Sequence, residues 1–163
     1  MSLSIVPTAE PHFEGLYRAI DAVARERRYL ALVEAPPIEE SFGFYHNIVT
    51  NDLCQFVAIQ DGTVVGWCDV LPVYGHARAH VGILGMGVVA HARGIGIGTQ
   101  LLAATLAKAG QKGISRVELS VRADNPSAKA LYERFGFVVE GVSRRAVRVD
   151  GEFFDCLAMA LLF

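Results

Sequence analysis

Cysteine is scarce. The 163 residues hold three, Cys54, Cys68 and Cys156, too far apart to form a CxxC pair. That spacing argues against a disulfide framework or a zinc site and points to reduced, buried thiols in a cytoplasmic protein, so no metal is expected. An excess of charge of one sign is also missing. Fifteen lysines and arginines face 17 aspartates and glutamates, a net −2, so no basic field advertises nucleic-acid binding. No apolar run reaches the roughly 18 residues that suggest a membrane span. The opening MSLSIVPTAEPHF has neither a basic segment nor an apolar one, so no signal peptide is expected. Repeats and low-complexity tracts are absent too. What remains is 52% hydrophobic and 20% charged, the balance of a compact folded protein. The length fits one domain over residues 1–163.

Periodicity orders the elements. LSIVP at residues 3–7 suggests a first strand. From Glu10 to about Arg28, Phe13, Leu16, Tyr17, Ile20 and Val23 recur at three- and four-residue steps, which predicts an amphipathic helix. Pro36 and Pro37 interrupt the chain before a second helix over PIEESFGFYHNIV. QFVAIQ and TVVGWCDVLPV flank Asp61-Gly62, a hairpin dipeptide. HVGILGMGVV is a strand carrying three glycines, which in a strand mark a bulge or the close approach of a ligand or another backbone. Leu101, Leu102, Thr105, Leu106 and Ala109 form a helical stripe ending near Gly110 to Gly113, and VELSVR alternates as a strand. Asn125-Pro126 supplies a cap and a first-turn proline for a helix striped by Ala128, Leu131, Tyr132 and Phe135, closed by Gly136. FVVEGVSRRAVRV and DCLAMALLF then form a hairpin through Asp150-Gly151-Glu152. On simple strand alternation, Arg144 and Arg148 share a face opposite Arg145.

The stretch RGIGIGTQLL, residues 93–102, places glycines at every second position just ahead of a helix. Free amides and the helix dipole converge there, which makes an anion site. A Walker loop is excluded, because no Lys-Ser/Thr follows the glycines. A dinucleotide fingerprint fails as well. It needs a glycine where Thr99 stands, and roughly 90 residues of helix and antiparallel strand precede the motif instead of a doubly wound half.

The pattern Arg-x-x-Gly-x-Gly fits better. Through GILGMGVVAHARGIGIGTQLL and RVELSVRADNPSAKALYERFGF, with the element order along the chain, the sequence resembles the GNAT superfamily of acetyl-coenzyme A-dependent N-acetyltransferases. EGVSRRAVRVDGEFFDCLAMAL further resembles a bacterial branch that modifies amino acids and ribosomal-protein N-termini. The resemblance implies an α/β (α+β) fold: a mixed, mostly antiparallel sheet of about six or seven strands, helices on both faces, splayed between the fourth and fifth strands. It implies that acetyl-coenzyme A lays its pyrophosphate on the amides of Gly94, Gly96, Gly98 and Thr99. Arg93 then supports the turn or meets phosphate. Hydrogen bonds to charged groups contribute about 1.5–3 kcal/mol each, a large share of the roughly 8.2 kcal/mol of micromolar binding. The pantetheine arm is expected along Met86, Gly87 and Val88, with Gly85 and Gly87 forming a bulge that opens the gap. Asn125 is both a helix cap and a candidate coenzyme contact. Tyr132 suits a core aromatic, and the resemblance also makes it the general acid for the departing thiolate.

A base is harder to find, because VGILGMGV holds no carboxylate. Asp69, His80, Glu118 and a water relay are the candidates. Deprotonating a lysine-like amine at pH 7 costs about 4.6 kcal/mol, an α-amine of a peptide end only about 1 kcal/mol. That difference leans toward an α-amine acceptor. The acceptor pocket is expected from RRYLALVEAPPIEESF and the hairpin around VRVDGEFF, where Glu34, Glu39 and Glu40 attract an ammonium and Tyr29 and Phe42 shape an apolar wall. Arg144, Arg145 and Arg148 are candidates for an acceptor carboxylate. The expected partner is a small primary amine such as an amino acid, with a peptide or protein N-terminus as the alternative and a non-catalytic coenzyme A sensor as the second. The last strand, LAMALLF, suits a core or a homodimer seam equally.

Overall fold

The computed structural model describes residues 2–163. The strands are β1 (Leu3–Pro7), β2 (Cys54–Gln60), β3 (Thr63–Pro72), β4 (Val81–Val88), β5 (Arg116–Arg122), β6 (Val138–Val149) and β7 (Glu152–Leu162). The helices are α1 (Phe13–Arg25), α2 (Ile38–Thr50), α3 (Ile97–Gln111) and α4 (Pro126–Arg134). No helix among the described residues is long and apolar enough to cross a membrane. The first helix is shorter than its periodicity predicts. It begins after a short 3-10 turn at Glu10–His12 and ends at Arg25, with Arg27 in the left-handed region at φ 60°.

All seven strands join one sheet in the order β1-β2-β3-β4-β5-β7-β6. Tight two-residue turns connect β2 to β3 and β6 to β7. Asp61-Gly62 and Asp150-Gly151 all have positive φ, as the turns that match strand twist require. Only β4 and β5 run parallel, joined through α3, because parallel neighbours need a crossover rather than a hairpin.

Side-chain alternation decides which helix covers which face. Gly66 of β3 lies under Leu101 of α3, and Thr105 of α3 donates to the Cys68 carbonyl at 3.4 Å. On the other face Val64 packs against Gly15 of α1. The core sits on both sides of β2–β4, with Leu16, Val57, Leu101 and Leu102 fully buried. Each such side chain contributes about 1.5–3 kcal/mol. Near the end of the last strand Met159 and Ala160 are buried in the core, whereas Leu162 and the following Phe163 are exposed.

The sheet opens in its middle. β4 pairs with β5 only where Val81–Ile83 meet Arg116–Glu118. Beyond that point β4 stays on β3 as far as Val88, and β5 stays on β7 as far as Arg122. The expected bulge is not there, since β4 keeps an unbroken register with β3. The glycines of β4 clear side chains of β3 instead. A Cβ on Gly87 would lie 2.4 Å from the Trp67 ring, and one on Gly85 would lie 3.3 Å from Asp69 Oδ1.

Simple alternation fails in the final hairpin. The register shifts between Ser143 and Val147, and Arg145 takes φ 52° with its amide donating to Asp155 Oδ1 at 2.9 Å. Arg145 and Arg148 therefore both reach the Phe153 ring, at 4.7 and 5.3 Å, rather than lying on opposite faces.

Gly87→Ala should be destabilising, because the new methyl group meets a rigid indole in a packed strand pair. Overpacking of this kind costs about 1–3 kcal/mol. Denaturant unfolding followed by fluorescence of Trp67, the one tryptophan in the sequence, measures it directly.

Candidate active site

The turn between β4 and α3 leaves its backbone amides open. Gly94 and Gly96 adopt φ 80° and 89°, and nothing lies within 4 Å of where their Cβ atoms would stand. The consecutive amides of residues 94–99 donate to no acceptor among the described residues; the first bond of the helix is Gln100 N–H to the Gly96 carbonyl at 3.2 Å. Unpaired N–H groups at the start of a 15-residue helix combine with its dipole to favour an anion.

Arg93 holds this turn from behind. Its Nε donates to the Val88 carbonyl at 2.8 Å, and Nη1 donates to Glu26 Oε1 at 2.9 Å. Nη2 meets the second oxygen of Glu26, and the guanidinium lies 4.6 Å from the Tyr29 ring centroid. Glu26 raises the arginine's pKa further above its ordinary value. The end of β4, the glycine turn and the end of α1 thus share one anchor.

The facing wall comes from β5 and α4. Asn125 caps α4, its Oδ1 accepting from the Ala128 amide at 3.2 Å, with Pro126 at the first helical position. Leu131 reaches across to Gly98, 3.4 Å from where a Cβ would be. Tyr132 is buried against Phe137, ring centroids 5.7 Å apart. Burial, with Cys68 nearby, pushes its phenol well above the usual range. Between the two walls lies a cleft of about 1040 Å³. It brings together Met86, Gly87, Val88, Arg93, Gly94, Gly96, Gly98, Thr99, Asn125 and Tyr132, every coenzyme and acid candidate of the sequence.

Arg28, Tyr29, Leu30 and Ala31, from the loop after α1, line the same cleft. The other expected acceptor residues lie elsewhere. Phe42 packs on Phe13 at 5.6 Å, Glu34 pairs with Arg25 at 3.4 Å, and Glu39 and Glu40 are exposed on the first turn of α2. Arg145 and Arg148 lie over Phe153 in the final hairpin, and none of the three candidate arginines lines the cleft.

The base candidates also separate. Glu118 is engaged by Arg116 and Arg78, both at 2.8 Å, and these arginines pull its pKa down. His80 is exposed just ahead of β4. Asp69 accepts from Gln55 Nε2 at 3.0 Å and stands beside Gly85; burial pushes its carboxyl up to about 7 despite the bonds from Gln55 and the Gly85 amide. The Cys68 thiol is fully buried and its pKa is raised strongly by the same desolvation.

Two anchors escaped sequence reasoning. Glu26 is one charge among several in ARERRYL, with no local signal to single it out. Arg122 ends β5, stacks 3.6 Å from the Phe154 ring centroid, pairs with Asp124 at 2.9 and 2.7 Å, and donates to the Arg27 carbonyl at 3.3 Å. Asp124 is two residues on, but Phe154 and Arg27 lie on two distant segments, invisible to spacing.

Comparison with known proteins agrees with this geometry. Residues 16–137 match the family model described as the acetyltransferase (GNAT) family. The L-amino acid N-acetyltransferase AaaT of Escherichia coli is 30% identical over 107 residues, covering 65% of this chain and 66% of that protein. Two solved structures share the fold. A ribosomal-protein-alanine N-acetyltransferase from Brucella melitensis superposes with a TM-score of 0.92 at 22% identity, covering 98% of this chain and 99% of that one. A phosphinothricin acetyltransferase from Sinorhizobium meliloti, in complex with AcCoA, gives 0.91 at 18% identity, covering 100% and 89%. With the glycine turn, the opened sheet and most of its length matched, this chain belongs to the acetyltransferase (GNAT) family and is an acyltransferase.

Proposed function

We propose that this enzyme moves an acetyl group from acetyl-coenzyme A directly to the primary amine of a small metabolite, an amino acid first. The carrying observation is that the unpaired amides of residues 94–99 and the parted edges of β4 and β5 open onto one cleft. The residues present suit the coenzyme: six successive donors for a diphosphate, and a strand edge at Met86–Val88 that β5 leaves free for an extended arm. The three cysteines are free and buried, which suits a reducing cytoplasm.

Acetyl-coenzyme A supplies an activated thioester. Gly94, Gly96, Gly98 and Thr99 hold its phosphates through backbone amides, and Arg93 keeps those amides aimed through Glu26 and Val88. Asn125 fixes the start of α4 and thereby the position of Tyr132. The hydroxyl of Tyr132, kept protonated by burial, gives its proton to the sulfur as it leaves. Cys68 takes no acyl group, because desolvation keeps it a thiol. Tyr29 and its neighbours on the loop after α1 shape the side from which the amine arrives. The amino-acid acceptor gains support from the name of the Escherichia coli relative.

Two measurements test this reading. Thiol release from acetyl-coenzyme A with a panel of free amino acids, short peptides and matched α- and ε-amines should show transfer, fastest to α-amines of amino acids. Peptide preference would move the acceptor to a polypeptide N-terminus, a strong ε-amine preference would defeat the α-amine assignment, and coenzyme binding without turnover would make the protein a sensor. Tyr132→Phe should lower kcat about 100-fold, within the range of general acid catalysis, while a coenzyme titration of the same variant remains as in the parent.

A further inference from the structure

We propose that Asp69, reaching across from β3, is the general base that takes the proton of the incoming amine; this rests on the acetyl transfer proposed above. β4 carries no carboxylate, so the nearest wall of the cleft has no base of its own. The register supplies one from the next strand. Asp69 stands directly opposite Gly85, and Gly85 lines the cleft beside Met86. Because Gly85 has no side chain, the Asp69 carboxylate stands beside the space that a residue on β4 would fill, with Oδ1 3.3 Å from the position of its missing Cβ.

The carboxylate is held for this task. Gln55 stands opposite Asp69 on the other side, on β2, and donates to Oδ2 at 3.0 Å. Gln55 is itself buried at 2% exposure, and its Oε1 has no partner among the described residues. Oδ1 lies on the Gly85 side, where the Gly85 amide also reaches the carboxyl. No cation pairs with Asp69 among the described residues. The titratable groups around it are Tyr45 of α2, whose pKa is pushed up to about 12, Tyr17 of α1 beyond Tyr45, and the Cys68 thiol on the opposite face of its own strand. Asp69 is half-buried; a carboxylate withdrawn from water without a cation costs stability, and such groups concentrate at functional sites. Its pKa of about 7 matches a base working near neutrality.

The proton balance closes. As the N–C bond forms and the thioester C–S bond breaks, one N–H proton passes to the Asp69 carboxylate, and the Tyr132 proton passes to sulfur. Solvent then takes the first proton and returns one to the phenol.

Asp69→Asn keeps the shape of the side chain and a bond to Gln55, so it tests the charge. Below about pH 7, log kcat/KM of the parent should fall with a slope near two, one unit from the acceptor ammonium and one from Asp69. In the variant the slope should drop to one, kcat should fall about 100-fold or more, and the coenzyme dissociation constant should not change. Carbonyl-detected NMR of the free parent protein should show the Asp69 carboxyl titrating near pH 7. Parent-like turnover by the variant overturns the assignment, as does a slowed variant that keeps the slope of two. If the variant fails to fold, the NMR titration decides, and a carboxyl that titrates below about pH 5 rejects the base. A parent protein that acetylates no amine at all defeats the transfer reading and this one together. A parent that works while D69N works equally defeats this one alone.

Discussion

The structure turns on a parting of two strands. β4 is zipped to β3 and β5 is zipped to β7, yet β4 and β5 touch through three residues each before they diverge. Divergence leaves the inner edges of both strands without a neighbour, and an unpaired edge is a row of donors and acceptors waiting for an extended partner. Elsewhere that would be a liability. Here the gap leads into a cleft capped by a glycine turn and a helix start, so the unused backbone groups of the sheet and of the helix face one space. Everything polar in the site is arranged around this shortage of internal partners.

What keeps the two halves in register is a small set of ion pairs with stacked rings. Arg93 ties the glycine turn to Glu26 and Tyr29, and Arg122 ties the end of β5 to Asp124, Phe154 and the Arg27 carbonyl. Both arginines thus converge on the short stretch after α1. Partial burial makes such bonds worth more than surface pairs, whose contribution is about 0–1 kcal/mol. They also tie the loop after α1 to the glycine turn and to the end of β5.

The backbone chemistry of the site was legible in the linear chain. Glycines at 94, 96 and 98 ahead of a leucine stripe marked a turn with free amides, and Asn125-Pro126 marked the cap of α4. These are local signals, carried by residues within one turn of each other. The role of Gly85 and Gly87 was not legible. Their spacing suggested a bulge, but the register is regular and they clear Trp67 and Asp69, residues that come to face them only after a hairpin forms. Phe42 looked like a pocket wall and instead packs against Phe13, because an apolar residue on a helix takes whichever face tertiary packing offers. The arginines of the final hairpin were misassigned for a related reason: a shift in register between Ser143 and Val147 breaks the period-two rule on which their faces were assigned.

By itself, then, the sequence determined the order of elements, the glycine turn with its free amides and the helix that carries Tyr132, since each depends on residues close along the chain. Only the tertiary structure decided which charges are anchors and which are free. Glu26 is consumed by an arginine from a distant segment and Glu118 by Arg78 from afar and Arg116 of its own strand, whereas Asp69 stands half-buried beside a glycine with no cation paired to it among the described residues. The physical reason is that burial and charge pairing set the state of a carboxylate, and both are properties of neighbours in space rather than neighbours in sequence.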